Sequence, residues 1–363
     1  MAARNSKGGS VPLSNFPPRA VARAKPALEA EHLAVGGLAG RHASSSGQAA
    51  SPEPAARAAP APRPSLPRAL GWATVGALFA LMTLGNIVSA TGSGLACPDW
   101  PLCHGRLIPP FQPDVLIEYG HRLAAAVTSV LLVATILSSI RRASGPGLRG
   151  LGITLLVLLA AQIGLGGITV LLKLPHLVST AHLVNALLIL AGLLALCAAA
   201  PDSPARVPDR VRRLALAGLG ALLVQLALGG YVRHSGAGLA CPDFPLCGGE
   251  LLPDRWLGAV HWVHRWLGVA LLGLFVHLGL AARRSAAGPA AGLALGLAVA
   301  QVTLGILTVL LQLRPPIRAT HAAVGYALWG VLVWTALRSG AWRVREASAG
   351  VAAGPMAEAA RVS

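Results

Sequence analysis

Charged side chains are scarce in this sequence. Asp, Glu, Lys and Arg make up 12% of its 363 residues, whereas a soluble globular protein carries about 25%. Hydrophobic residues reach 54% and come in blocks of about 20, the length that crosses the hydrocarbon core of a bilayer. This composition excludes an ordinary soluble domain and predicts an all-α polytopic protein embedded in the lipid bilayer. We place its eight transmembrane helices at roughly residues 70–90, 121–140, 151–172, 178–199, 211–231, 259–282, 291–311 and 319–337.

Prolines that would break a helix are missing from matched positions within these spans. A solute transporter with repeated halves needs discontinuous helices around a site at the bilayer midplane. The sequence therefore disfavours a transporter.

Acidic residues are fewer than basic ones, 13 against 30, which gives a net charge of +17. Such a charge can indicate nucleic-acid binding, but here the arginines gather in alternate loops, as the positive-inside rule requires of a membrane protein. We therefore expect no nucleic-acid partner, a location in the cell inner membrane, and two cytoplasmic termini. The arginine clusters lie at 141–149, 206–213, 283–284 and 338–345.

Residues 1–68 differ from the rest of the chain, being rich in Ala, Pro, Ser and Arg without apolar periodicity. They cannot bury a core, so we predict a disordered cytoplasmic tail. An organellar transit peptide is the alternative, because the segment is Arg-rich and acid-poor. No apolar region typical of a cleavable secretory signal precedes the first span, and residues 341–363 are predicted to form a second cytoplasmic tail.

The chain contains an internal repeat. Four landmarks recur in the same order about 140 residues apart, which predicts two four-helix bundles, 69–205 and 206–340. Because each half has an even number of spans, both halves insert in the same orientation. The landmarks are the loops "GSGLACPDWPLCHG" from Gly92 and "GAGLACPDFPLCGG" from Gly236, "HRL" from His121 and "HRWL" from His264, "QIGLGGITVLLKLP" from Gln162 and "QVTLGILTVLLQLRP" from Gln301, and "TAHLVNALL" and "ATHAAVGYAL" around His182 and His321.

Each repeated loop carries two cysteines with five residues between them. On the outer face, where disulfides persist, we expect one short-range disulfide per loop, Cys97–Cys103 and Cys241–Cys247. Zinc sites usually space their cysteines by two to four residues and rarely place two prolines between them. A redox-active pair remains an alternative, chiefly for the first loop.

Four of the eleven histidines belong to the repeat: His121, His182, His264 and His321. Each lies near the start of an even-numbered span, so all four should sit at a similar depth near the outer face. Two imidazoles on facing helices of a bundle commonly hold heme iron axially, and ionisable residues within a membrane are usually functional. Each pair is therefore a candidate heme site. Packed or interfacial histidines are the alternative, and zinc is disfavoured because Cys or carboxylate ligands are missing at metal spacing.

One ionisable residue distinguishes the two halves. Glu118 precedes His121 by three residues, so the two share a face on a continuous helix, whereas the matching position before His264 is His261. This asymmetry suggests that one heme is a permanent cofactor and the other a substrate altered beside an acid. The alternative is that Glu118 caps a helix start or pairs with Arg122.

Arg122 and Arg265 directly follow two of the repeated histidines. Their guanidinium groups are candidates for charge-assisted hydrogen bonds to heme propionates. The alternative is that both side chains extend to lipid headgroups.

Together these residues resemble the heme A synthase family, membrane enzymes that convert heme O to heme A for terminal oxidases. The resemblance covers roughly Leu70 to Leu337 and rests on "EYGHRL", the three further repeated histidines and the paired Cys-x5-Cys loops. It implies that His264 and His321 hold a resident heme b.

The same resemblance implies that His121 and His182 bind the heme O substrate, with Glu118 important for catalysis. The implied reaction oxidises a porphyrin methyl group to a formyl group through successive hydroxylations. Heme O synthase and an electron acceptor are the implied partners, and a homo-oligomer is left open. The main rival is a non-enzymatic diheme cytochrome b, which explains four histidines equally well but leaves Glu118 without a role.

Overall fold

The computed structural model describes residues 66–142, 146–198 and 207–340, and these residues form eight long α-helices. Each helix is long and apolar enough to cross a membrane, which confirms the predicted all-α, multi-pass architecture. The predicted tails lie outside the described residues, except that the first helix begins slightly earlier than expected. The helices are α1 (Leu66–Thr91), α2 (Pro113–Arg142), α3 (Pro146–Leu171), α4 (His176–Ala198), α5 (Asp209–His234), α6 (Trp256–Ala282), α7 (Gly288–Leu310) and α8 (Pro315–Arg338).

Prolines mark the start of several helices, because a residue in the first turn needs no backbone donor and tolerates the fixed φ of proline. α2, α3 and α8 begin at Pro113, Pro146 and Pro315. α2 therefore starts eight residues before the span predicted from residue 121. As a result Glu118 lies inside the helix, one turn before His121, as the shared-face argument requires.

The eight helices form two rings of four, joined along one seam. Within each ring, consecutive helices pack against each other, and the first also packs against the fourth. Across the seam, α1 and α4 contact α8, and α4 also contacts α5. α4 is apolar on every side, as expected of a helix surrounded by others, and its buried residues form much of the central core. The exact division of the chain near residue 205 stays a prediction.

Polar contacts cross the seam near the predicted outer face. Arg233 of α5 donates hydrogen bonds to the side chain and carbonyl of Asn86 and, at 2.8 Å, to the hydroxyl of Ser89, both on α1. Asn86 in turn donates to the carbonyl of Ala319 on α8, at 2.9 Å. Deeper in the seam, Trp329 donates to the carbonyl of Leu187, at 2.9 Å. Unpaired polar groups are costly in a lipid environment, so these contacts fix how the rings meet.

Candidate functional site

Each ring is capped on the predicted outer side by a short loop closed by a disulfide. The bonds are Cys97–Cys103 and Cys241–Cys247, as predicted. In both loops the second cysteine also exchanges backbone hydrogen bonds with a residue three positions on, forming one isolated bridge.

An aspartate organises the interior of each loop. Asp99 accepts backbone N–H bonds from His104 at 2.6 Å and Gly105 at 2.7 Å. Asp243 accepts the equivalent bonds from Gly248 and Gly249. The donors lie in the left-handed region of backbone space, with φ between 56° and 83°, so their N–H groups converge on one carboxylate. These backbone bonds, led by those from Gly105 and Gly249, lower the pKa of both aspartates from the ordinary value of 3.8.

The arginine after each of two repeated histidines ties the loop to the helix below. Arg122 donates to the carbonyls of Asp99 and Leu102 at 2.6 Å and of Cys97 at 2.9 Å. Arg265 makes the equivalent contacts with the carbonyls of Asp243, Leu246 and Cys241. Neither the loop geometry nor this clamp was predicted from the sequence, and the propionate role of both arginines stays a prediction.

Glu118 and its counterpart His261 occupy equivalent positions with different chemistry. Glu118 is only 3% exposed; it accepts the backbone N–H of Cys97 at 2.8 Å and pairs with Arg122 at 2.6 Å. His261 lies 3.4 Å from the backbone nitrogen of Cys241 and 3.2 Å from Nε of Arg265. A neutral imidazole can accept through only one ring nitrogen, whereas a carboxylate accepts from both donors. Glu118 thus holds its loop more tightly, and the pairing considered as an alternative to catalysis is present.

The four repeated histidines each face a glycine on the preceding helix. A Cβ placed on Gly85 of α1 or Gly229 of α5 would lie 2.8 Å from Cε1 of the ring opposite, His121 or His264. The same holds for His182 against Gly166 and for His321 against Gly305, at 3.3 and 3.2 Å. Helix-interior glycines weaken a helix unless a close approach requires them. The four glycines therefore indicate that the imidazole of each repeated histidine is packed at a fixed position.

In the second ring the two histidines meet in one cavity of about 410 Å³. This volume falls within the range of roughly 300–1,000 Å³ typical of ligand and cofactor sites. His264, His321, Arg233, Arg265 and Arg318 all contribute to its wall. The cavity therefore combines the imidazoles of His264 and His321 with three cationic side chains inside a mostly apolar lining.

Glutamine side chains contact two of the four repeated imidazoles. Nε2 of Gln162 lies 3.2 Å from Nε2 of His182, and Nε2 of Gln301 lies 3.4 Å from Nε2 of His321. The Nδ1 atoms of all four repeated histidines are buried without a hydrogen-bond partner among the described residues. Both glutamines open a repeated sequence landmark, but the sequence analysis gave them no role.

Comparison with known proteins identifies the family. A family model described as cytochrome oxidase assembly protein, COX15-CtaA, matches residues 68–116 and 110–333. A heme A synthase of Symbiobacterium thermophilum is 33% identical over 285 residues, covering 73% of this chain and 92% of that protein.

The chain belongs to the heme A synthase family. A heme A synthase of Rhizorhabdus wittichii is 32% identical over 334 residues, covering 76% of this chain and 95% of the relative. One from Geobacillus thermodenitrificans is 31% identical over 309 residues, covering 78% and 95%. The resemblance seen in the sequence is thereby confirmed, including its extent along the membrane part.

The residues present fit a heme group in the second ring. Two imidazoles and three arginines that suit propionate carboxylates line one cavity, and the glycines opposite the imidazoles leave these side chains the room they occupy. In the part of the chain that the structure describes, no three His, Cys, Asp or Glu side chains gather as a ligand set for a bare metal ion. The paired histidines are therefore the residues that would hold heme iron.

Three further features of the site were missed by the sequence analysis. The glycine–histidine pairs had a detectable signal, because Leu-Gly recurs at 84–85 and 228–229 and again at 165–166 and 304–305. The sequence carried no signal for the loop-anchoring role of His261, because its imidazole differs chemically from the carboxylate of Glu118 at the matching position. The cationic wall contributed by Arg233 and Arg318 could not be inferred either, because neither residue belongs to a repeated motif.

Proposed function

We propose that this chain oxidises a methyl group of heme O to a formyl group, producing heme A for terminal oxidases. In this proposal His264 and His321 hold a resident heme b, and His121 and His182 bind the heme O substrate. The observation that carries it is the cavity of about 410 Å³ walled by both His264 and His321, in a chain that belongs to the heme A synthase family.

The protein itself supplies ligands, charge and exclusion of water. A bound heme supplies the iron centre that exchanges electrons. The paired imidazoles would hold the iron from two helices, and the glycines opposite set the positions of these imidazoles. Arg233 and Arg318 present cationic groups to the cavity, where propionate carboxylates would be stabilised by charge-assisted hydrogen bonds. Four N–H contacts of Arg122 and four of Arg265 already engage loop or helix groups, so any propionate bond by these residues would share donors with the loop.

Glu118 is the proposed acid beside the substrate. It lies one helical turn before His121 and is buried, which suits a group that takes or gives a proton next to a heme. Its pairing with Arg122 supplies a second, structural role.

Substituting Glu118 separates these two roles. Glu118→His copies the loop anchor of the second ring, and Glu118→Gln keeps one acceptor in the same shape. We expect both variants to retain heme spectra and the closed loop but to lose heme A formation, measured by chromatography of extracted hemes after co-expression with heme O synthase. If Glu118→His makes normal amounts of heme A, Glu118 is only a loop anchor and its catalytic assignment is wrong.

Extraction of bound hemes tests the function as a whole. Pyridine hemochrome spectra of purified protein should contain heme b together with heme O or heme A, and His264→Ala should remove the heme b signal. Cells lacking the protein should lose formyl-bearing heme. Loss of electron flux with heme A intact would instead favour the diheme cytochrome b.

We also propose an inner-membrane location with both termini cytoplasmic, as well as heme O synthase and an electron acceptor as partners.

A further inference from the structure

A chain of hydrogen bonds in the first ring leads from the backbone of α3 to His182. Nδ2 of Asn185 donates to the carbonyl of Leu158 at 2.9 Å and to Oε1 of Gln162 at 2.7 Å. Nε2 of Gln162 then contacts Nε2 of His182 at 3.2 Å. Asn185 is buried, at 8% exposure.

The first link fixes the direction of all the others. A backbone carbonyl can only accept, so Asn185 must turn its amide nitrogen toward Leu158. The second N–H of that nitrogen then donates to the oxygen of Gln162, which leaves the Gln162 amide nitrogen facing His182 as a donor. Nε2 of His182 must therefore be the acceptor, with the ring proton on Nδ1. The lone pair engaged by Gln162 is the one through which Nε2 would ligate iron.

The second ring lacks this anchor. Gln301 lies 3.4 Å from His321, and the position matching Asn185 is Val324. Oε1 of Gln301 is buried without a hydrogen-bond partner among the described residues. Gln301 thus faces the same ring nitrogen as Gln162 does, but nothing equivalent holds it there.

We propose that Asn185 is a positioning residue which, by anchoring Gln162 against Nε2 of His182, makes the heme bound in the first ring more readily released than the heme in the second. This inference rests on the proposed function, in which His182 and His321 ligate iron. Iron and the Gln162 amide use the same lone pair, so binding of one excludes the other. Displacing Gln162 also breaks or strains its bond from Asn185, a cost that is absent at Gln301. The anchor therefore suits a site whose heme must leave, and its absence suits a site whose heme stays.

Exchanging the two matched residues tests the proposal. The full chain is reconstituted in lipid nanodiscs and loaded with ferric heme b, and its equilibrium heme affinity is measured by competition with apomyoglobin. We expect two steps of heme loss, and His182→Ala assigns the step that belongs to the first ring. Asn185→Val should raise the affinity of that step about 3- to 10-fold, the effect of one neutral hydrogen bond. Val324→Asn should lower the affinity of the other step by a similar factor.

A near-isosteric variant separates this role from packing. Asn185→Leu removes both donated bonds while keeping a side chain branched at Cγ, and it should also tighten heme binding in the first ring. If Asn185 served only to pack the helices, both substitutions would lower the heme affinity, because a loosened helix bundle binds heme less tightly. Unchanged or weakened affinity in Asn185→Val and Asn185→Leu, with wild-type spectra and melting temperature, overturns the inference alone. If the wild-type protein takes up no heme at all, the proposed function falls with it.

Discussion

At the scale of single residues, the imidazoles of the repeated histidines are positioned by glycines on the helix opposite. Gly85 and Gly229 leave so little room that a Cβ would lie 2.8 Å from the facing imidazole carbon, closer than real carbon atoms approach. The neighbouring helices cannot separate cheaply to relieve this contact, because protein interiors are close-packed. The orientation of each proposed iron ligand therefore depends on a residue on another helix.

Adding a methyl group at Gly229 tests this dependence. Gly229→Ala should turn or displace the His264 ring and reduce heme b occupancy by about 10-fold or more, since a misplaced axial ligand loses its bond to iron. Occupancy is measured as the Soret absorbance per mole of purified protein. Gly220→Ala, on the same helix, is the matched control, because a Cβ there meets nothing within 4 Å. Equal heme content in the two variants would contradict the positioning role of Gly229.

At the scale of elements, each disulfide-closed loop is held by one aspartate within it and one arginine of the helix that follows it. Asp99 and Asp243 accept paired backbone bonds through their carboxylates, while Arg122 and Arg265 donate to loop carbonyls. The loop conformation is thus built on charge-assisted hydrogen bonds as well as on its disulfide. The spacing of the cysteines predicted the covalent bond, but the anchors depend on a fold that places α2 and α6 under the loops.

Acidification should loosen both loops. Because the folded-state pKa of Asp99 and Asp243 lies below the ordinary 3.8, their stabilisation is fully present above that value and is lost as the pH falls through the lower, folded pKa. We expect the rate of disulfide reduction by a phosphine, relative to a small disulfide standard, to be constant between about pH 5 and 7 and to rise below about pH 3.8.

The variant Asp99→Asn supplies the comparison for the first loop. It keeps one side-chain acceptor but no charge, so the first disulfide should already be reduced faster at pH 7 and should respond less to acid. A wild-type reduction rate that stays flat down to about pH 2 would show that the aspartates do not hold the loops.

At the scale of the whole molecule, the two rings meet along a seam that includes polar side chains. Arg233 is bound by Asn86 and Ser89 of the other ring and also lines the cavity with His264 and His321. One residue therefore belongs both to the seam and to the proposed cofactor site, so the geometry of the second ring depends on its attachment to the first.

Removing the Asn86 side chain should weaken this attachment. Asn86→Ala takes one acceptor from a partly buried guanidinium, which typically costs about 1.5–3 kcal/mol, and it also removes the bond to Ala319. The free energy of unfolding, measured by denaturant titration in mixed micelles, should fall by about that amount. Thr83→Ala, which loses only a bond to its own helix, should change stability by less than about 0.5 kcal/mol. An equal loss in both variants would assign the seam no special role.

Much of the architecture was predictable because membrane spans obey a composition rule that is local in sequence. The spans, the cysteine pairs and the repeated histidines were all found from patterns within each half. The start of α2 was placed too late, because the polar residues before His121 hide a helix that extends beyond the apolar core. Arg233 was given no role, since its partner Asn86 lies 147 positions away and no repeat relates the two. Contacts between halves leave no periodic trace in a sequence.

The adjacency of His121 with Arg122, and of His264 with Arg265, has a mechanical consequence. In each pair one peptide bond joins a proposed iron ligand to the arginine whose side chain hydrogen-bonds the disulfide-closed loop. Tension on the loop, whether from a docking protein or from opening of its sulfur bridge, would reach the imidazole within a single residue. The disulfide-closed loop and the proposed iron ligand are thus coupled through adjacent residues of one helix.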